Sequence, residues 1–114
     1  MTKHDNKVYL RHILETIEKI ETYIGRQAFS EFKKDKQLID AVIRNFEIIG
    51  EASNRIPDEF RAKYPEIDFG SAIGMRHRVI HGYDEVNLDF IWSTTKKDLP
   101  VFKKQVEKIL KETD

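Results

Sequence analysis

The chain has 114 residues, which is enough for one domain, spanning residues 1–114, around one hydrophobic core. Its 20 basic and 20 acidic side chains balance, which argues against a protein that coats nucleic acid non-specifically, because such binding grows with the cations presented to phosphates. The lack of cysteine excludes disulfides and thiolate sites, and no apolar run approaches the roughly 18 residues of a membrane span. Residues 1–7 are polar and lack a signal-peptide core, so we expect a cytoplasmic protein with no membrane contact.

The first predicted element is a helix over about residues 5–24. Asp5 or Asn6 is the expected N-cap, and Gly25 is the expected residue just after the helix. Phe29 and Phe32 follow and should close the end of the core. The apolar residues at helical spacing are Tyr9, Ile13, Leu14, Ile17, Ile20 and Ile24.

A second helix is predicted over about 35–55, and its wide apolar stripe indicates the central position in the fold. The stripe consists of Leu38, Ile39, Val42, Ile43, Phe46, Ile49 and Ala52. Pro57 suits the first turn of a short helix that reaches about Lys63 and ends at Tyr64-Pro65.

The last third predicts two more helices, over about 69–82 and 88–111. The first should be mostly buried, and the second should kink or restart at Pro100, because the proline ring removes one helical hydrogen bond. No period-two alternation indicates a strand. We therefore predict an all-α, up-and-down bundle of four main helices plus a short connecting helix.

The segment from Met75 to Tyr83, Met-Arg-His-Arg-Val-Ile-His-Gly-Tyr, carries the candidate chemistry. Arginine offers a permanent cation with a planar fork of donors for phosphate, and histidine exchanges protons near neutral pH. On a helical wheel Arg76 falls near Ile80 and Tyr83, in an apolar arc, where a cation needs an anionic partner. That partner is either a carboxylate of the second helix, Glu51 or Glu47, or a substrate phosphate.

The same wheel stacks His77 on His81 at i, i+4, which is also metal-ligand spacing. The adjacent Arg78 opposes a divalent ion, so we predict neither a metal site nor a cofactor. Trp92 is expected in the core. Tyr83 either has a functional role or is simply half-buried, as tyrosine side chains usually are.

These residues resemble the signature of HEPN domains, and of the HepT-like toxins in particular. The resemblance covers nearly the whole chain and rests first on Arg76-x4-His81-x-Tyr83. Ile48-Ile49-Gly50-Glu51-Ala52 is similar to the family's second helix, and Trp92 with Leu99-Pro100 is similar to its fourth. The combination is far more specific than Arg-x4-His alone.

The resemblance implies a homodimeric, HEPN-like bundle acting as a metal-independent endoribonuclease on RNA such as tRNA or mRNA. It implies that His81 is the general acid/base and that Arg76 holds the scissile phosphate. From their positions in the sequence, we expect His77, Arg78 and Glu51 to be supporting residues. It also implies an MNT-type nucleotidyltransferase antitoxin that adds AMP to Tyr83. The competing hypotheses are a non-catalytic HEPN module that binds a nucleotide or the nucleotidyltransferase, and a structural subunit whose basic cluster forms ion pairs only.

Overall fold

The computed structural model describes residues 3–81 and 85–112, and the side chains of residues 3–5, 76, 80, 81 and 85 fall outside that description. The described residues form an all-α bundle, as predicted. The bundle contains α1 (Lys3–Ile24), α2 (Phe29–Phe32), α3 (Lys36–Arg55), α4 (Asp58–Ala62), α5 (Phe69–Val79), α6 (Leu88–Ser93) and α7 (Leu99–Glu112). A π-helical segment, Thr94–Asp98, joins α6 to α7.

The central position predicted for the second helix is confirmed, because α3 packs against α1 on one side and α5 on the other. Its stripe is buried at Ile39, Val42, Phe46, Ile49 and Ala52. The opposing residues of α1 are Leu10, Ile13, Ile17, Ile20 and Ile24, all buried. Tyr9 and Leu14, which belong to the same helical pattern in the sequence, are only partly buried and pack against this core.

The ends of the first three elements follow local chemistry. Gly25 has a φ of 55°, the left-handed conformation that ends a helix and that only glycine adopts at no steric cost. The Asp35 side chain accepts a hydrogen bond from the backbone N–H of Leu38 and so caps α3. The N-cap predicted at Asp5 or Asn6 is wrong, because α1 already includes both residues.

The short connecting helix is confirmed as α4. Pro57 is its N-cap rather than part of its first turn, and the Pro57 carbonyl accepts hydrogen bonds from the N–H groups of Phe60 and Arg61. Phe60 is buried and lies against Tyr64 at a ring separation of 5.3 Å. Phe60 belongs to the hydrophobic core and Tyr64 packs against it, so these two side chains hold the segment to the bundle.

Pro100 disturbs its helix one turn earlier than its own position, in the π segment. A proline cannot donate to the carbonyl four residues back, and its ring collides with that carbonyl, here that of Lys96. Widening the helix over Thr94–Asp98 relieves this conflict, and α7 then begins at Leu99. The restart predicted at Pro100 is confirmed, and its form is a π segment.

The predicted helix over 69–82 is too long at its C-terminal end. α5 ends at Val79, and Ile80–His81 (β1) pairs antiparallel with Glu85–Val86 (β2), with Ile80 opposite Val86 and His81 opposite Glu85. The Asn87 N–H donates to the Val79 carbonyl at 2.6 Å and closes this two-residue ladder. The sequence lacks alternation there because two residue pairs are too few to produce any.

Candidate functional site

The helix that carries the candidate residues is anchored along one face. Phe69, Ala72, Met75 and Val79 of α5 are buried, at spacings of three and four residues that align them toward α3 and α7. At its start, the Asp68 carboxylate accepts hydrogen bonds from the backbone N–H of Ser71 at 2.9 Å and from the Ser71 hydroxyl at 2.5 Å. These two hydrogen bonds hold the pKa of Asp68 below its ordinary value, and the bond from the Ser71 hydroxyl has the larger effect.

A close approach of two helices sets the position of α5. A Cβ at Gly50 of α3 would lie 3.1 Å from the Ala72 carbonyl oxygen and 3.3 Å from that of Ile73. Any larger residue at position 50 would push α5 outward. The Ile-Gly-Glu-Ala segment of the sequence thus has a packing role, and Glu51, the neighbour of Gly50, is exposed on α3.

The predicted site residues fall into two groups. Arg76, His77 and Arg78 occupy the C-terminal part of α5, whereas His81 lies beyond the helix end, in β1. The helical stacking of His77 on His81 is therefore wrong, and so is the i, i+4 metal-ligand geometry, because the helix stops two residues before His81. Within the described residues, no group of three or more potential ligands could hold a metal ion.

The resting partner of Arg76 stays a prediction. The side chains of Arg76 and His81 lie outside the described structure, and Gly82, Tyr83 and Asp84 lie outside it entirely. Glu47 is half-buried and forms an ion pair with Arg44 at 3.5 Å. The roles assigned to Arg76, His81, Tyr83 and Glu51 are therefore expectations from the sequence.

The supporting residues have contrasting surroundings. His77 is exposed on α5. The Arg78 guanidinium lies over the ring of Phe90 on α6, with its central carbon 4.6 Å from the ring centroid. Such a stack orients the planar fork while leaving the side chain exposed.

Trp92 is a packing residue, as predicted. Its ring lies 5.4 Å from that of Phe29 and 5.3 Å from that of Phe32, so it fastens α2 against α6. The Lys96 ammonium lies 4.8 Å from the Trp92 ring centroid on the outer side. Phe29 and Phe32 therefore close the end of the core, as the sequence predicted.

Comparison with known proteins identifies the family. The family model described as "Ribonuclease HepT-like" matches residues 13–109. This chain belongs to the HepT-like ribonuclease family. The match runs from α1 to α7 and so includes every described element of the site.

Curated relatives of this HepT-like chain come from several organisms. The "Probable ribonuclease HepT" of Thermococcus cleftensis is 42% identical over 109 residues, which are 96% of this chain and 99% of the relative. "Putative RNase MJ1216" of Methanocaldococcus jannaschii is 40% identical over 114 residues, covering all of this chain and 94% of the relative. No solved structure gives a significant match.

A third relative is a longer protein. The "Gamma-glutamylcyclotransferase and putative RNase MJ0434" of Methanocaldococcus jannaschii is 45% identical over 112 residues, which are 98% of this chain but 50% of the relative. This HepT-like chain thus spans about half of that protein. None of the helices formed by the described residues has the length and apolar character needed to cross a bilayer.

Proposed function

We propose that this chain is a metal-independent endoribonuclease, the toxin of a HEPN/nucleotidyltransferase toxin–antitoxin pair. The observation that carries the proposal is a HepT-like family match over residues 13–109 that contains Arg76-x4-His81. Ribonuclease names among the full-length relatives support the reaction class. The substrate is cellular RNA, such as tRNA or mRNA, in the cytoplasm.

The reaction needs one proton transfer in each direction and charge stabilisation at phosphorus. The ribose 2′-oxygen attacks the adjacent phosphorus as its proton leaves, and the bond from phosphorus to the 5′-oxygen breaks as that oxygen gains a proton. The products are a 2′,3′-cyclic phosphate and a 5′-hydroxyl. In this proposal His81 moves protons, and Arg76 holds the phosphate and stabilises the charge that builds on its oxygens.

The active site is proposed to be shared by two copies of the chain. One copy offers few catalytic groups, and its net charge is zero. Two copies facing each other would bring two sets of Arg76, His77, Arg78 and His81 into one cleft. The local positive charge of that cleft would attract RNA without an overall basic protein.

The partner is proposed to be an MNT-type nucleotidyltransferase that transfers AMP to the Tyr83 hydroxyl. The new bond joins the tyrosine oxygen to the α-phosphorus of ATP, and pyrophosphate leaves. The added phosphate would occupy the anion site of Arg76, seven positions earlier in the chain, and the adenosine would block the cleft. AMP addition thereby switches off RNA cleavage.

The proposal is tested by incubating the purified protein with tRNA or mRNA in the presence of EDTA and looking for cleavage. We expect cleavage with cyclic-phosphate ends, lost in His81→Ala and retained in His12→Ala, a matched control at an exposed position of α1. Cleavage that survives His81→Ala refutes the assignment. No cleavage by any preparation, together with stable binding to an MNT-type nucleotidyltransferase, would favour the non-catalytic HEPN module.

A further inference from the structure

A groove of about 430 Å³ runs beside the candidate site, between α5 on one side and the π segment and α7 on the other. Its apolar lining comes from buried residues of both sides, namely Ala72, Met75, Leu99 and Phe102. The volume exceeds that of one planar heterocycle. The groove is therefore large enough for a small organic group, and its floor favours an apolar face.

The wall nearest the candidate site is a stacking platform. Arg78 and Phe90 both line the groove, and they are the pair whose guanidinium and ring lie 4.6 Å apart. Phe90 is itself fixed by an edge-to-face contact with Phe46, at 6.5 Å and 90°. An oriented guanidinium plane is a surface on which nucleobases stack.

The rim supplies hydrogen-bond acceptors instead of further cations. Asp98 is exposed at the end of the π segment, and Glu66 and Asp68 line the same groove. Asp68 is already engaged by Ser71. Three carboxylates beside one arginine favour an uncharged group that carries N–H donors over a phosphate group.

A buried threonine lies in the groove wall at the start of the π segment. Thr94 lines the groove and is 4% exposed, and its Oγ1 has no hydrogen-bond partner among the described residues. Thr94 and Asp98 are the first and last residues of the π segment, a helix type that recurs at functional sites.

We propose that this groove binds an unpaired nucleobase of the RNA substrate, with guanine as the best match. The inference rests on the proposed ribonuclease function. Guanine places two N–H donors side by side on its Watson–Crick edge, which suits the Asp98 carboxylate, while its ring stacks on Arg78.

Nucleoside binding tests the groove without depending on catalysis. Guanosine, cytidine and uridine are titrated separately into the full-length protein, and amide and side-chain NMR shifts are followed. We expect guanosine to move the signals of Arg78, Thr94 and Asp98 and the two pyrimidines to bind at least about fivefold more weakly. Equal shifts for all three nucleosides, or guanosine shifts elsewhere, would overturn the proposal.

Matched variants show which groups carry the preference. Asp98→Asn should weaken guanosine binding about tenfold, because the amide replaces one acceptor oxygen with a donor. Asp89→Asn, at an exposed position of α6 outside the groove, should leave guanosine binding unchanged. Guanosine binding that Asp98→Asn does not alter would refute the role of the carboxylate.

Cleavage mapping on a random single-stranded RNA pool gives the second readout. The wild type should show a guanine preference at a fixed distance from the cut. Arg78→Lys keeps the positive charge but loses the planar guanidinium, so it should weaken that preference. Arg11→Lys on α1 is the matched control.

The outcomes separate the two proposals. An active enzyme without a base preference contradicts the groove proposal alone, whereas absent cleavage with intact guanosine binding contradicts only the ribonuclease proposal. A change in oligomeric mass caused by Asp98→Asn would assign the groove to a protein interface and overturn the base site.

Discussion

Gly50 and Ala72 mark the closest approach of α3 and α5, since a Cβ on Gly50 would lie 3.1 Å from the Ala72 carbonyl oxygen. The obstacle is backbone, which cannot rotate away as the tip of a side chain would. The candidate residues at the end of α5 therefore depend on a glycine more than twenty positions earlier. A larger side chain at Gly50 should therefore displace the whole of α5.

Gly50→Ala should lower the free energy of unfolding by about 1 kcal/mol. The new methyl group overpacks the interface at a cost of about 1–3 kcal/mol, which outweighs the gain of about 1 kcal/mol in helix propensity. Gly74→Ala on α5 is the control, because a Cβ there meets nothing within 4 Å. It should stabilise by about 0.5–1 kcal/mol, measured by urea unfolding. Equal effects of the two substitutions would refute the close-contact explanation.

Asp68 should make stability pH-dependent in the acid range. Its pKa is lowered in the folded state by the Ser71 hydroxyl and amide, so its contribution is present above the unfolded pKa of about 3.9 and is lost as the pH falls through the lower folded value. The stability difference between the wild type and Asp68→Asn should therefore shrink between pH 6 and pH 2. Thermal melts across this range measure it, with Asp89→Asn as the charge-matched control. A difference that stays constant would contradict the linkage.

Trp92→Ala should destabilise the protein by about 2–4 kcal/mol, somewhat less than a fully buried tryptophan, because Trp92 is only partly buried. The lost ring leaves Phe29 and Phe32 without their common partner and should loosen α2. Trp92→Phe keeps a ring in place and should cost much less. Far-UV circular dichroism during urea unfolding provides the measurement, since Trp92 is the only tryptophan and the variants lose its fluorescence. Similar losses for both variants would argue against ring stacking as the cause.

Mixing two inactive variants tests the shared active site. Arg76→Ala and His81→Ala, each prepared alone, should lose cleavage by at least about a hundredfold, as expected for loss of a phosphate-binding cation or of a general acid/base. If the cleft needs groups from both copies, denaturing and refolding the variants together should restore part of the activity through heterodimers. Mixing without refolding is the control. A monomeric mass in solution at micromolar protein concentration would refute the shared site directly.

The helices could be predicted because their signals are local. Ile13, Ile17 and Ile20 repeat at helical spacing, Gly25 ends α1 in a conformation that glycine favours, and Pro57 begins a short helix. The helix end that depends on pairing with a following segment could not be predicted. α5 stops at Val79 because its carbonyl bonds to Asn87 across the β1–β2 pair, a contact that periodicity does not encode. The predicted stacking of His77 and His81 was wrong for that reason.

By itself, the sequence determined the all-helical class, the apolar stripes of α1 and α3 and the family, because these follow from residue type and spacing along one chain. It also identified Arg76, His77, Arg78 and His81 as candidates through their chemistry. Only the tertiary structure decided that Arg78 stacks on Phe90, twelve residues later, and that Gly50 lets α5 approach α3. It alone located the groove between α5 and α7, because a cavity arises from surfaces that meet in space and belongs to no single segment.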